Sequence, residues 1–166
     1  MNTQPHNLKP AEDIPGTRIR TLVVDDSPFM LKVLSQILER AGIFDLVGTA
    51  MDGGQALRHV SMLSPELVLM DLHMPHLNGI QATRYMKHSE HPPVIIIITS
   101  DDSSAAREMA EQAGADAFVS KEGNLLHQLM DALQNLFGPT GEGREATGSS
   151  SFQKRLAGYA KQGHGS

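Results

Sequence analysis

Four short apolar runs in the sequence are each followed by side chains that could take part in phosphate or metal chemistry. These side chains are, in chain order, Asp25, Asp26, Asp71, Thr99, Ser100 and Lys121. A carboxylate can act as a nucleophile or bind a divalent cation, a lysine ammonium pairs with phosphate oxygens, and a hydroxyl donates hydrogen bonds to them. These residue types match the parts of a site for phosphoryl transfer.

Three of these side chains are carboxylates, which repel one another when the fold brings them together. Two unit charges 4 Å apart interact by about 4 kcal/mol at an effective dielectric constant of 20. Such a cluster needs a cation, and oxygen ligands favour Mg²⁺ or a similar hard ion. The chain has no cysteine, which excludes disulfides and thiolate metal sites. Mg²⁺ is therefore the predicted cofactor.

Five short apolar runs alternate along the chain with five segments of helical periodicity. This alternation is typical of α/β proteins with a parallel sheet that helices cover on both faces. The apolar runs predict strands at residues 22–24, 46–50, 67–70, 94–98 and 117–119. The helical patterns cover residues 28–41, 52–63, 78–87, 103–113 and 125–136. Periodicity alone does not determine the order of the strands.

An open parallel sheet explains how residues distant in the sequence could share one site. Parallel strands place their carboxyl ends on one edge, and ligands of such sheets bind outside that edge. A single aspartate after a strand is more often a turn residue or a helix cap, and a single lysine there is usually solvated. The agreement of four strand ends favours a shared site over independent caps.

The part of the chain that carries the strands is acidic. Residues 18–137 contain 9 basic and 15 acidic side chains, within a whole-chain net charge of −5. This excess of negative charge argues against nucleic-acid binding. The longest apolar run, residues 94–98, is too short to span a bilayer, and the first thirty residues lack the pattern of a signal peptide. We therefore predict a cytoplasmic protein that does not insert into membranes.

Both ends of the chain differ in composition from the part between them. Residues 1–17 contain three prolines and no apolar period, which predicts a flexible leader. Residues 138–166 are rich in glycine and serine, which predicts a disordered tail. Within the tail, Phe152, Leu156 and Tyr159 stand at helical spacing, so a short docking helix that orders on binding is the alternative.

Four motifs closely resemble those of response-regulator receiver domains. They are Leu-Val-Val-Asp-Asp-Ser at 22–27, Leu-Met-Asp-Leu-His-Met-Pro at 69–75 with Gly79, Thr-Ser at 99–100 and Ala-Phe-Val-Ser-Lys at 117–121. The resemblance covers residues 20–137 and implies a receiver domain at residues 18–137. It also implies a flavodoxin-like, doubly wound, five-stranded parallel sheet with strand order 2-1-3-4-5 and five helices.

The resemblance implies a role for each acidic residue of the motifs. Asp71 would accept the phosphoryl group. Asp26 and Asp71 would bind Mg²⁺ through their side chains, with Asp25 acting largely through water. The backbone carbonyl of His73 would complete the protein ligands of the ion.

The resemblance also implies roles for the residues that follow the last two strands. Thr99, Ser100 and Lys121 would bind the phosphoryl oxygens. Thr99 would move toward the phosphoryl group and Phe118 would turn inward behind it. This movement would reshape the face formed by the fourth helix, the fifth strand and the fifth helix.

The function that the resemblance implies is a signalling switch of a two-component system rather than an enzyme. A sensor histidine kinase or a phosphotransfer protein would supply the phosphoryl group. Because no output domain is recognised after residue 137, output is expected through contacts with an unidentified protein target. The stretch at residues 27–30, Ser-Pro-Phe-Met, and the helix that it begins resemble the corresponding segment in the receiver half of chemotaxis methylesterases.

Three other functions are alternatives to a switch of this kind. A phosphorelay intermediate would pass the phosphoryl group on, and a scaffold would not be phosphorylated at all. An aspartyl-phosphate phosphatase is disfavoured, because His73 stands where such enzymes usually place a second aspartate. A homodimer formed on phosphorylation is left open.

Overall fold

The computed structural model describes residues 18–137 and 154–157 of the 166-residue chain. Five parallel strands form one sheet in the order β2-β1-β3-β4-β5, which confirms the predicted flavodoxin-like fold. The strands are β1 (Ile19–Val24), β2 (Phe44–Ala50), β3 (Leu67–Asp71), β4 (Val94–Thr99) and β5 (Ala117–Ser120). The helices that follow them are α1 (Pro28–Ala41), α2 (Gly53–Leu63), α3 (Gly79–Lys87), α4 (Ser104–Ala113) and α5 (Leu125–Phe137). Among the described helices, none has the length and apolar character that a membrane span requires.

Two largely aliphatic cores cover the two faces of the sheet. Helices α1 and α5 pack on one face, and α2, α3 and α4 pack on the other. Successive residues of β4 alternate between the two cores, with Ile96 and Ile98 on one face and Ile95 and Ile97 on the other. Because the central strands are buried on both faces, their sequences are continuous apolar runs. Packing on both faces holds the strands in place, and the predicted site lies at their carboxyl ends.

All five helices are preceded by a polar residue whose side chain accepts a hydrogen bond from a backbone N–H of the first turn. These residues are Ser27, Asp52, Asn78, Ser103 and Asn124. Pro28 occupies the first position of α1, where its missing N–H costs no hydrogen bond. Each cap lies in the loop after a strand, so it fixes how the chain leaves the carboxyl edge of the sheet.

Five strand boundaries differ from the predicted ones because backbone pairing continues beyond the apolar runs. β4 and β5 each extend by one residue, Thr99 and Ser120, which pair with each other. β1 begins at Ile19 and β2 at Phe44, and these two residues pair with each other across the sheet. β3 ends at Asp71 rather than before it, since this residue pairs with Ile98 of β4. The backbone of Asp71 is therefore held by the sheet and not by a loop.

Four residues of the predicted tail, residues 154–157, form a helical turn that packs against the domain. Leu156 is 5% exposed and belongs to the core that α1 and α5 cover. The guanidinium of Arg155 donates hydrogen bonds to both carboxylate oxygens of Glu66, at 2.9 and 2.5 Å, and to the carbonyl of Arg18 at 2.8 Å. The predicted leader and the rest of the tail lie outside the described residues, so their flexibility stays a prediction.

Glu66 links the turn to the start of β3 and makes this contact dependent on pH. Burial raises the pKa of Glu66, but hydrogen bonds from Arg155 and from the backbone of Arg20 outweigh burial and hold the pKa below its usual value. The ionised Glu66 carboxylate therefore stabilises the folded protein fully at pH values above the ordinary pKa of glutamate. This stabilisation is lost as the pH falls through the lowered pKa that Glu66 has in the folded protein.

We expect Leu156→Ala to lower the free energy of unfolding by about 1.5–3 kcal/mol, because the leucine side chain is buried in the folded state and exposed in the unfolded state. Urea denaturation followed by circular dichroism measures the change. Met62→Ala removes a side chain that is 78% exposed and serves as the control, with an expected change within about 0.5 kcal/mol. Equal stabilities of Leu156→Ala and the wild type would show that the turn does not stabilise the domain.

Candidate functional site

The structure brings the three predicted aspartates together at the carboxyl edge of the sheet. Asp71 is the last residue of the central strand β3, and Asp25 and Asp26 follow its neighbour β1. Carboxylate oxygens of the three residues lie within 4.8 Å of one another. Asp25 and Asp71 are 1% and 5% exposed, whereas Asp26 is exposed. The cluster thus has two buried members and one that faces solvent.

Lys121 follows β5 and reaches the carboxylate cluster from the other side of β4. Its Nζ lies 2.6 Å from Oδ2 of Asp25 and 3.1 Å from Oδ1 of Asp71. The backbone N–H of Lys121 donates to the carbonyl of Thr99 at 2.9 Å, which holds the residue beside the sheet. Burial lowers the pKa of Lys121, but its two carboxylate partners outweigh burial and raise the pKa. The ammonium therefore stays charged.

The two carboxylate oxygens of Asp71 have different surroundings. Oδ1 accepts a hydrogen bond from the backbone N–H of Leu72 at 2.9 Å and faces Lys121. Within the described residues, no hydrogen-bond donor is directed at Oδ2. Burial, followed by the charge of Asp25, raises the pKa of Asp71, and Lys121 offsets only part of this rise. Oδ2 is thus the oxygen that remains for a ligand or a new bond.

The raised pKa of Asp71 predicts that its negative charge destabilises the fold when no divalent cation is bound. A raised pKa contributes stability that is fully present below the unfolded-state pKa and lost as the pH rises through the folded-state pKa. At pH 7 in EDTA, we expect Asp71→Asn to raise the free energy of unfolding by about 0.5–2 kcal/mol. Urea denaturation at pH 7 and pH 4 measures this difference, which should shrink at the lower pH.

Asp45→Asn is the matched control for this measurement, because Asp45 is an exposed aspartate of β2 outside the cluster. Its substitution should change the free energy of unfolding by no more than about 0.5 kcal/mol. An Asp71→Asn variant less stable than the wild type in EDTA would contradict the destabilising role of the charge.

The donor set of the acidic cluster fits a divalent cation. Oδ2 of Asp25 is buried, and the Lys121 ammonium lies 2.6 Å from it. This one ammonium faces three clustered carboxylates, so the cluster keeps an excess of negative charge that a divalent cation would offset. The carboxylates of Asp25, Asp26 and Asp71 supply the hard oxygen ligands that Mg²⁺ selects.

The other predicted site residues surround the cluster. Thr99 is the last residue of β4 and is 1% exposed, and its Oγ1 accepts a hydrogen bond from the N–H of Asp101 at 3.1 Å. Ser100 is exposed, and Phe118 lies half-buried in β5. His73 is exposed in the loop after β3, and its carbonyl stays a predicted metal ligand.

Two contacts beside the site have no signal in the sequence. Nε2 of His73 lies 3.1 Å from Oδ2 of Asp101, so these side chains join the loops after β3 and β4. The guanidinium of Arg107 lies over the ring of Phe118, with 4.5 Å between Cζ and the ring centroid. The partners of each contact are distant in the sequence and meet only through the fold.

Comparison with known protein families places the described domain in one of them. The family model described as "Response regulator receiver domain" matches residues 21–134. Similar curated proteins include a protein-glutamate methylesterase/protein-glutamine glutaminase from Koribacter versatilis, 40% identical over 106 residues, which are 63% of this chain and 29% of that protein. A protein of the same name from Halobacterium salinarum is 38% identical over 117 residues, 69% of this chain and 33% of that protein. The chain spans about a third of the length of these relatives.

Solved structures of similar fold agree with this assignment. The response regulator domain of Thermotoga maritima CheB has a TM-score of 0.59 and 29% sequence identity, and the match covers 87% of this chain and 95% of that one. A two-component response regulator of the LuxR family from Aurantimonas sp. SI85-9A1 has a TM-score of 0.67 and 27% identity, over 84% of this chain and 98% of that one.

Proposed function

Because this chain belongs to the response-regulator receiver family, we propose that it is a phosphorylation switch of a two-component system. Residues 18–137 form the receiver domain in this proposal, with a leader before it and a tail after it, and Asp71 accepts the phosphoryl group. The observation that carries the proposal is the setting of this carboxylate. Leu72 and Lys121 hold Oδ1, whereas Oδ2 receives no hydrogen bond from a described residue.

Phosphorylation of Asp71 is a displacement at phosphorus. A carboxylate oxygen forms a bond to phosphorus while the bond from phosphorus to the nitrogen or oxygen of the donor breaks, and the donor atom keeps the electron pair. The product is an acyl phosphate on Asp71. Mg²⁺, when bound by Asp25, Asp26, Asp71 and the carbonyl of His73, supplies positive charge beside the phosphoryl oxygens.

The side chains of Thr99, Ser100 and Lys121 bind the phosphoryl oxygens in this proposal. The Lys121 ammonium already pairs with two carboxylates of the cluster, so it lies beside the carboxylate that gains the phosphoryl group. The Thr99 hydroxyl accepts a backbone hydrogen bond in the present structure and would donate to the phosphoryl group after a change of position. Phe118 follows this change, and the face formed by α4, β5 and α5 is the output surface.

The partners of the proposed switch are proteins. A sensor histidine kinase or a phosphotransfer protein donates the phosphoryl group, and an unidentified target binds the output surface. We propose that the domain regulates rather than catalyses, because residues 21–134 match the family model of response-regulator receiver domains. A phosphorelay intermediate would use the same site and pass the phosphoryl group to a second histidine. The proposal involves neither nucleic acid nor membrane.

Two phosphoryl donors distinguish a switch from a phosphatase. With Mg²⁺, we expect phosphoramidate, which has a P–N bond like that of phosphohistidine, to add one phosphoryl group per chain by intact mass, and EDTA to prevent the addition. We expect no sustained release of p-nitrophenol from p-nitrophenyl phosphate. Steady turnover of that ester would favour an aspartyl-phosphate phosphatase. A folded protein that binds Mg²⁺ and gains no phosphoryl group would favour a scaffold.

A further inference from the structure

The aromatic ring of Phe118, to which the proposed function gives a switch role, has a cation above it. Cζ of Arg107, a residue of α4, lies 4.5 Å from the ring centroid. Arg107 is exposed and Phe118 is half-buried. Among the described residues, no carboxylate forms a salt bridge with Arg107. The ring is therefore the interaction partner that the structure gives to this guanidinium.

The register of the sheet connects this ring to Thr99. Phe118 pairs with Ile97 of β4. Ile97 belongs to the core that α2, α3 and α4 cover, and the partly buried Phe118 packs against that core. Side chains alternate along a strand, so Thr99, two residues after Ile97, lies on the same face of the sheet. The threonine at the phosphorylation site and the ring that Arg107 covers thus share one face of two adjacent strands.

We propose that Arg107 is a positioning residue that holds the Phe118 ring in its partly buried position beside α4 and thereby opposes activation. This inference rests on the proposed function, in which Thr99 moves toward the phosphoryl group and Phe118 turns inward behind it. An inward turn takes the ring away from an exposed guanidinium, so the cation–π attraction is lost. The contact therefore stabilises the unphosphorylated arrangement and lowers the population of the activated one.

Removing the guanidinium is expected to raise the fraction of molecules in the activated arrangement about two- to fivefold. This factor corresponds to the usual strength of a cation–π contact at an exposed site. A ligand that binds only the activated arrangement then binds more tightly by the same factor, as long as that fraction is small. Beryllofluoride with Mg²⁺ is a suitable probe, because it attaches to a carboxylate in the place of a phosphoryl group.

Isothermal titration calorimetry of beryllofluoride binding to the full chain in the presence of Mg²⁺ tests the inference. We expect Arg107→Gln to lower the apparent Kd about two- to fivefold, and Arg107→Lys, which keeps a cation, to lower it less. Arg84→Gln removes an exposed arginine from α3 and is the matched control, with an unchanged Kd. Equal Kd values for Arg107→Gln and the wild type would overturn the inference.

The same substitution in a Phe118→Leu background separates a ring-mediated effect from a general change in α4. Leucine has no aromatic face, so Arg107→Gln should leave the Kd of Phe118→Leu unchanged. An equal gain in affinity in both backgrounds would overturn the inference, because the arginine would then act without the ring. If the folded wild type binds Mg²⁺ but no beryllofluoride, the proposed function itself fails.

Discussion

Lys121→Met is expected to slow phosphorylation of Asp71 by acetyl phosphate about 10²–10³-fold, the usual cost of removing one donor that stabilises a developing charge. The ammonium lies 3.1 Å from Oδ1 of Asp71, and its two carboxylate partners raise its pKa, which favours the charged form at neutral pH. Methionine retains the length and the apolar part of the side chain but not the charge. The rate is measured by phosphate-affinity electrophoresis with saturating Mg²⁺.

Lys87→Met is the matched control for the loss of a partly buried lysine. The side chains of Lys87 and Lys121 are 18% and 15% exposed, and each forms a salt bridge with an aspartate. Lys87, however, pairs with Asp116 and donates to the carbonyl of Pro93, at the end of the sheet away from the aspartate cluster. We expect Lys87→Met to lose stability and keep the phosphorylation rate. A Lys121→Met variant that is phosphorylated at the wild-type rate would show that the ammonium does not stabilise the transferred group.

Gly79→Ala is expected to lower the free energy of unfolding by about 4 kcal/mol or more, which is a large effect for one methyl group. A Cβ on Gly79 would lie 2.0 Å from the backbone oxygen of Asp71, and backbone cannot move away as a flexible side chain can. The N–H of Gly79 also donates to the carbonyl of Leu72 at 3.0 Å, so α3 is fixed against the end of β3. Urea denaturation measures the loss, and any folded variant should be phosphorylated more slowly.

Gly54→Ala provides the control for a helix glycine that does not contact backbone. Its Cβ would lie 3.2 Å from Oδ1 of Asp52 and 3.9 Å from the guanidinium of Arg58, and both of these are side-chain atoms. We expect a change in the free energy of unfolding within about 1 kcal/mol. If Gly79→Ala were no more destabilising than Gly54→Ala, the close approach of α3 to Asp71 would not be a requirement of the fold.

The fold class could be predicted from the sequence because its signals are local. The central strands are apolar on both faces, so runs such as residues 94–98 stand out from the helical pattern on either side. Polar caps such as Ser27 and Asn78 mark the helix starts, and their side chains make the expected hydrogen bonds. The order of the strands has no local signal, and it came from the resemblance of the motifs to the family.

The meeting of the site residues also followed from the sequence, since carboxyl ends of parallel strands share an edge. What could not be predicted is the detailed pairing of the charges. Lys121 lies closer to Asp25 than to Asp71, and the preference depends on loop geometry that no motif spacing encodes. The same reason explains why the contact between Arg107 and Phe118 went unpredicted. Their distance depends on how far α4 lies from β5.

The contact between the tail and the domain illustrates a second limit. The composition of residues 138–166 predicts disorder, and only the helical spacing around Leu156 pointed to a docked segment. Arg155 pairs with Glu66, which is 89 residues away in the sequence. Glu66 lies at the start of β3, at the end of the sheet opposite the aspartate cluster. A long-range ion pair of this kind depends on the finished fold, so a short polar segment does not reveal it.

The electrostatics of Asp71 connect stability to function. Burial and the neighbouring carboxylate raise the pKa of Asp71, so we expect its charge to destabilise the fold when no cation is bound. Oδ2 of Asp71, which receives no hydrogen bond from a described residue, lies in the same cluster as Lys121 and two further carboxylates. A divalent cation bound by these carboxylates would offset the repulsion between them and stabilise the folded protein.

The most direct test of Asp71 as phosphoacceptor is intact mass after incubation with acetyl phosphate and Mg²⁺, for the wild type, Asp71→Asn and the control Asp45→Asn. We predict that the wild type and Asp45→Asn gain one phosphoryl group each, that EDTA prevents the gain, and that Asp71→Asn gains none. An equal gain in Asp71→Asn, or no gain in a folded wild type that binds Mg²⁺, would contradict the assignment of Asp71 as the phosphoacceptor.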